Sequence, residues 1–141
     1  MTRYEDWPRR LDDFLQAASE RPFSWGERDC CTLAADAVQA MTGDDPYTLW
    51  RGKYKSARGA ARIVAKAGGL VGLWTQLLGQ PVAPLMARRG DVVVVGGVAC
   101  APGWSEAAGV VDLTGMWIAC AGPAGLVSLP LSAAVAAWRV G

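Results

Sequence analysis

The spacing of apolar residues changes between the two halves of this 141-residue chain. Through about residue 78 they recur at the intervals of amphipathic helices, whereas after Arg89 short β-branched runs alternate with glycine-containing turns. Helices followed by strands indicate an α+β fold and not an alternating α/β sheet. The length suits one ordinary core, so we expect residues 1–141 to form a single domain.

Four helices are predicted in the first half. Pro8 suits the first turn of one helix, Asp29 and Ser56 are capping residues for two others, and Gly43 can end the helix that Asp29 begins. We expect that second helix to be the central buried one. The predicted ranges are residues 7–19, 30–41, 56–67 and 71–78.

The second half predicts a series of short antiparallel strands. Val92 to Val95 is a β-branched run typical of a buried strand, and Gly96-Gly97 permits a reversal into a strand at Val98 to Cys100. Three further strands are predicted at residues 109–112, 116–120 and 125–129. Leu131 to Ala137 has the composition of a short helix.

Charge and hydropathy exclude several classes of partner. The net charge is +1 with the basic residues scattered, so nothing predicts binding to nucleic acid or to an anionic membrane. The polar N-terminal stretch does not resemble a signal peptide, and no apolar run is long enough to cross a bilayer. We therefore expect no nucleic acid and no membrane-spanning segment.

The cysteines do not have the spacing of a metal site. The chain has four cysteines and no histidine, and none of the cysteines forms a C-x-x-C pair, so we predict no metal and no cofactor. The thiols are expected to be reduced. Cys100 and Cys120 are interpreted as small apolar residues on strands.

Cys30 occupies the position of a candidate nucleophile. It follows Asp29 at the predicted start of a helix, where backbone N–H groups can stabilise a thiolate and a substrate oxyanion. A cysteine hydrolase also needs a base, which is usually histidine, and a positioned acid–base group contributes about 10² to 10⁴ in rate. The simpler interpretation is that Asp29 caps the helix while the cysteines fill its buried first turn.

The order of three motifs resembles the NlpC-type papain-like cell-wall peptidases, in particular their small phage and prophage tail-tip relatives. The motifs are Asp29-Cys30-Cys31-Thr32-Leu33, Arg89-Gly90-Asp91-Val92-Val93-Val94 and Ala107-Ala108-Gly109-Val110-Val111. The resemblance implies a papain-like α+β fold, with N-terminal helices packed on a C-terminal antiparallel sheet.

The resemblance also assigns site positions. It places Cys30 at the nucleophile position, Ala107 at the position of the base and Ala119 near that of the third polar residue. Two alanines therefore stand where the family has polar partners. Replacement bases to consider are Asp112, Glu106, Lys53 and Tyr54.

The resemblance implies a structural component of a phage tail tip that lacks hydrolase activity. Its location would be the virion, after synthesis in the bacterial cytoplasm, and its partners would be other tail-tip or hub proteins. The alternative is a cysteine hydrolase of peptidoglycan stem peptides that uses Cys30 with a non-histidine base. A third possibility is a module that binds peptides or glycans, with peptidoglycan as the partner.

Large side chains in loops indicate where partners would bind. Most of the seven tryptophans, Trp117 among them, lie in apolar patterns typical of core or partly buried positions, but Trp50 and Trp104 lie in predicted loops. Together with Arg51 and Tyr54 they resemble the anchor residues of an interface. We therefore expect the 47–54 and 102–106 loops to contact other proteins.

Overall fold

The computed structural model describes residues 1–97 and 104–141, which form helices and then strands. The helices are α1 (Trp7–Ala18), α2 (Cys30–Thr42), α3 (Ala57–Lys66) and α4 (Leu70–Leu78). The strands are β1 (Val92–Gly96), β2 (Glu106–Val111), β3 (Trp117–Gly122), β4 (Gly125–Pro130) and β5 (Ala134–Trp138). Short 3₁₀ turns lie at Pro84–Met86 and Leu131–Ala133.

The five strands form one antiparallel sheet in the order β4-β3-β2-β1-β5. Strands β1 to β4 are neighbours in chain order, which confirms the predicted antiparallel series and the α+β class. The apolar side chains of β1 are buried on both faces, as its β-branched run predicts.

Helix α2 is the buried helix of the fold, as predicted. Its end is set by Gly43, whose φ of 82° is the left-handed conformation that glycine adopts without steric cost. Leu33 of α2 and Ala18 of α1 pack against Ala121 of β3, so both helices cover the same face of the sheet. This packing places the N terminus of α2 against the core.

Two predictions about the second half are wrong, and one cannot be compared. Residues 131–137 form a 3₁₀ turn and then β5, because pairing with β1 outweighs the helix propensity of an alanine-rich segment. Trp117, expected to be core or partly buried, is the first residue of β3 and is exposed, at 45% of its surface. The strand predicted at Val98 to Cys100 lies outside the described residues.

The described residues were also compared with the requirements of a membrane-spanning helix and of a metal site. Across residues 1–97 and 104–141, none of the helices combines the length and apolarity needed to cross a bilayer. Within that same part of the chain, cysteine, aspartate and glutamate side chains do not gather in groups of three or more that could hold a metal ion.

Candidate functional site at the start of helix α2

Asp29 begins α2 through a reciprocal capping arrangement. Its Oδ1 accepts a hydrogen bond from the Thr32 backbone N–H at 2.9 Å, and its own N–H donates to Thr32 Oγ1 at 2.8 Å. These bonds satisfy N–H groups that have no partner inside the helix. Asp29 is only 1% exposed, so the cap belongs to the interior of the protein.

The second carboxylate oxygen of Asp29 joins two other segments to the helix start. Oδ2 accepts hydrogen bonds from the Gly26 N–H at 2.8 Å and from the Tyr54 hydroxyl at 2.7 Å. The Tyr54 hydroxyl lies 2.8 Å from that of Tyr47. Both carboxylate oxygens are thus engaged by the protein, and we call Asp29 with Gly26, Thr32, Tyr47 and Tyr54 the Asp29 network.

The two phenols of the network are donors and not bases. Burial, followed by the charge of Asp29, raises the pKa of Tyr54 far above its usual value. Burial is also the largest influence that raises the pKa of Tyr47, and the electrostatic interaction with Cys31 raises it further. Both hydroxyls therefore keep their protons at neutral pH, and Tyr54 cannot serve as the replacement base considered from the sequence.

Cys30 points into the core and not toward solvent. Its side chain is 2% exposed and packs within the main apolar cluster, as does that of the neighbouring Cys31. A catalytic thiol needs access to its substrate, and reactive cysteines are at least partly exposed. In this conformation Cys30 acts as a small apolar residue in the first turn of α2.

The register of β2 and β3 separates the two positions assigned to polar partners. Ala119 lies opposite Val110 and shares its face of the sheet with Ala121, the face that α1 and α2 cover. Ala107, three residues before Val110, lies on the opposite face because side chains alternate along a strand. The structure therefore does not bring Ala107 and Ala119 together in one site.

The other replacement bases lie on different parts of the fold. Asp112 lies in the turn after β2, where its Oδ1 accepts hydrogen bonds from Thr114. Glu106 begins β2 and borders a surface groove with Trp104, and Lys53 lies in an exposed loop. These three residues thus lie on three separate segments of the chain.

The expected interface residues have different environments. Tyr54 belongs to the buried Asp29 network, which corrects its assignment to an interface. Arg51 is half-buried and bonded within the molecule, with its Nε 2.6 Å from Asp45 and its Nη2 2.6 Å from Asp36. These contacts hold the 47–54 loop against α2.

The two loop tryptophans pack partly against the protein. Trp50 is half-buried against the core, next to Leu49, which is 72% exposed. Trp104 is also half-buried, and its ring centroid lies 5.3 Å from that of Trp25. Part of the expected 102–106 loop lies outside the described residues.

The chain matches the family described as a domain of unknown function (DUF6950) over residues 2–140. It belongs to the DUF6950 family. No curated protein matches the chain.

In this DUF6950 chain, sequence reasoning found the cap but missed the residues that enclose it. The sequence predicts Tyr47 and Tyr54 in a loop that contacts other proteins, yet their rings pack at 81° to each other and Tyr47 stacks on Trp74. The sequence feature that could have indicated their burial is the pair of tyrosines in a segment that also carries Arg51. Such a segment can fold back on the core when its arginine pairs with partly buried carboxylates, as Arg51 does with Asp36 and Asp45.

Proposed function

We propose that this protein is a structural component of a phage tail tip, without hydrolase activity, built on an NlpC-type papain-like scaffold. The observation that carries the proposal is that the first residues of α2 and its cap are closed off from solvent. Cys30 is buried, and Asp29 uses both of its carboxylate oxygens to hold three chain segments together. The position that would perform chemistry in the resembled family thus has a structural role here.

The order of elements supports the scaffold part of the proposal. The cysteine heads a buried helix, Arg89-Gly90-Asp91 precedes β1, and the Ala107 to Val111 segment forms β2. These elements follow one another in the order of the three motifs that carry the resemblance, and the strands are antiparallel. Because a fold alone does not establish a function, the tail-tip role rests on this resemblance and on the closed cap together.

The energetics of thiol activation support the absence of hydrolysis. A helix N terminus contributes about 0.3–1 kcal/mol to the stability of an anion at an exposed site, which is less than one pKa unit. The chain has no histidine, and Ala107, at the position of the base, has no group that could protonate a leaving amine. The N terminus of α2 can therefore stabilise an anion, as in a cysteine hydrolase, but the residue that would transfer protons is missing.

The 47–54 loop supports a docking role. Arg51 fixes the loop through Asp36 and Asp45, and the loop presents Leu49 to solvent beside Trp50. A rigid loop with an exposed apolar residue loses little conformational entropy on binding. In this account, Leu49 and Trp50 contact another tail protein, whereas Tyr54 stabilises the loop from inside.

The proposal is tested by isolating phage particles from the bacterium that encodes the chain. We expect the protein to co-sediment with tails and to be detected by mass spectrometry at a fixed ratio to other tail proteins. Its absence from intact particles would refute the structural role.

A matched pair of variants tests the docking surface. Leu49→Ser should reduce incorporation, whereas Leu85→Ser, at another highly exposed leucine, should not. Both proteins should keep the melting temperature of the parent, because neither side chain is buried. A reduction for Leu85→Ser alone would place the docking surface elsewhere.

A further inference from the structure

Four arginines from distant parts of the sequence meet around one pocket. The pocket has a volume of about 320 Å³ and shares no lining residue with the Asp29 network. It is bordered by Arg3, Trp7, Arg88, Arg89, Asp91, Arg139 and Gly141. We call it the arginine pocket.

Asp91 at the base of the pocket is buried and fully engaged. It is 0% exposed, and each of its oxygens lies 3.1 Å from a guanidinium, that of Arg3 for Oδ1 and that of Arg139 for Oδ2. The backbone N–H groups of Arg88 and Val140 also donate to it. Asp91 therefore fixes two arginines in place and neutralises only one positive charge.

The pocket keeps an excess of positive charge. Arg88 and Arg89 are exposed, and their side chains form no ion pair within the described part of the chain. Among the residues that border the pocket, four guanidinium groups face one aspartate. The side chains that border the pocket therefore carry an excess of positive charge.

Trp7 holds two of the guanidinium groups at this surface. The Arg3 Cζ lies 4.2 Å from the centroid of the Trp7 ring, and the Arg89 Cζ lies 5.6 Å from it. The Arg3 Nη1 also donates to the Arg89 carbonyl at 2.8 Å. Ring stacking and this bond restrict the side chains, so less entropy is lost when they bind an anion.

The like charges affect one another. Burial is the largest influence that lowers the pKa of Arg3, and the charges of Arg139 and Arg89 lower it further, against the opposing effect of Asp91. A bound anion would relieve this repulsion.

We propose that the arginine pocket binds a phosphate group. A guanidinium offers paired N–H donors that match two oxygens of a phosphate, and several guanidinium groups suit a dianion better than a single carboxylate. The phosphate belongs either to free inorganic phosphate or to a phosphate monoester. Both sources present the same chemistry to the arginines.

The proposal is tested by calorimetric titration of the full, untagged chain with inorganic phosphate and, separately, with glycerol phosphate. We expect saturable binding with a Kd of about 1 mM or tighter at low salt. Equal affinities would assign the site to the free ion, and tighter binding of glycerol phosphate would assign it to a monoester. Absence of saturable binding of either compound would overturn the proposal.

A pair of double variants separates a specific site from general charge. Arg88→Gln with Arg89→Gln should weaken phosphate binding about tenfold or more, since both exposed arginines of the pocket are removed. Arg58→Gln with Arg62→Gln changes the net charge equally on the exposed face of α3 and should leave the Kd unchanged. Equal weakening in both would overturn the proposal, and unchanged unfolding curves would show that the folds are intact.

Discussion

At the scale of single residues, Asp29 is the carboxylate on which the start of α2 depends. Asp29→Asn keeps the size of the side chain but places an NH₂ group where only acceptors fit, so at least one of its three donors loses its partner. The expected loss is about 2–3 kcal/mol in the free energy of unfolding. Urea denaturation measures this loss as a lower midpoint at an unchanged slope.

Tyr54→Phe is the matched control for that prediction. It removes one hydrogen bond to Asp29 and keeps the ring, so we expect a loss of about 1 kcal/mol. If Asp29→Asn cost no more than Tyr54→Phe, the Asp29 network would not be the element that holds this part of the fold.

Gly26 shows the steric side of the same arrangement. Its φ is 86°, and a Cβ there would lie 2.2 Å from the Tyr54 carbonyl oxygen. Gly52 has a similar φ of 74° but open space around it. The left-handed conformation alone costs about 1–2 kcal/mol for a residue with a Cβ.

We therefore expect Gly26→Ala to destabilise the protein clearly more than Gly52→Ala does. Gly52→Ala should cost about 1 kcal/mol, and Gly26→Ala should exceed that by about 1 kcal/mol or more, since backbone must move. Thermal and urea unfolding of both variants measure the difference. Equal losses would mean that the Gly26 turn does not pack against the Tyr54 backbone.

At the scale of elements, the contact between the 47–54 loop and α2 depends on pH. Burial tends to raise the pKa of Asp45, but the hydrogen bonds from Arg51 and from the Tyr47 N–H outweigh it and lower the pKa below its ordinary value. A lowered pKa in the folded state stabilises the fold above the ordinary pKa of aspartate, near pH 4. That stabilisation is lost as the pH falls through the lowered value.

Removing Arg51 should therefore change both the stability and its acid dependence. Arg51→Met should lower the free energy of unfolding by about 1 kcal/mol at pH 7. This loss relative to the parent should become smaller below about pH 4, because Asp45 becomes protonated there. Arg62→Met on exposed α3 should change the stability by less than about 0.5 kcal/mol at any pH. A constant difference between Arg51→Met and the parent down to pH 3 would contradict the assignment.

The same scale shows what the sequence could and could not predict. The cap at Asp29, the stop at Gly43 and the β1 run depend on local chemistry, and all three were found from the residues. The alanines of β5 favour a helix locally, so the sequence predicts one there, whereas pairing with β1, far away in the chain, decides the conformation of this segment.

At the scale of the whole molecule, the missed features all join distant segments. The Asp29 network combines residues from positions 26 to 54, and the arginine pocket combines residues from 3 to 141. The relative faces of Ala107 and Ala119 depend on a register that no motif specifies. Local patterns thus predicted the elements, whereas the contents of each site required the tertiary arrangement.

We propose that Cys30 is a structural residue and that the protein does not hydrolyse peptidoglycan. The most direct measurement compares the release of stem-peptide fragments from purified peptidoglycan by the parent chain and by Cys30→Ala, with circular dichroism to confirm that both are folded. A histidine-containing NlpC-type hydrolase serves as the positive control. We predict equal background rates for the two proteins, and a rate for the parent about tenfold or more above that of Cys30→Ala would contradict the claim.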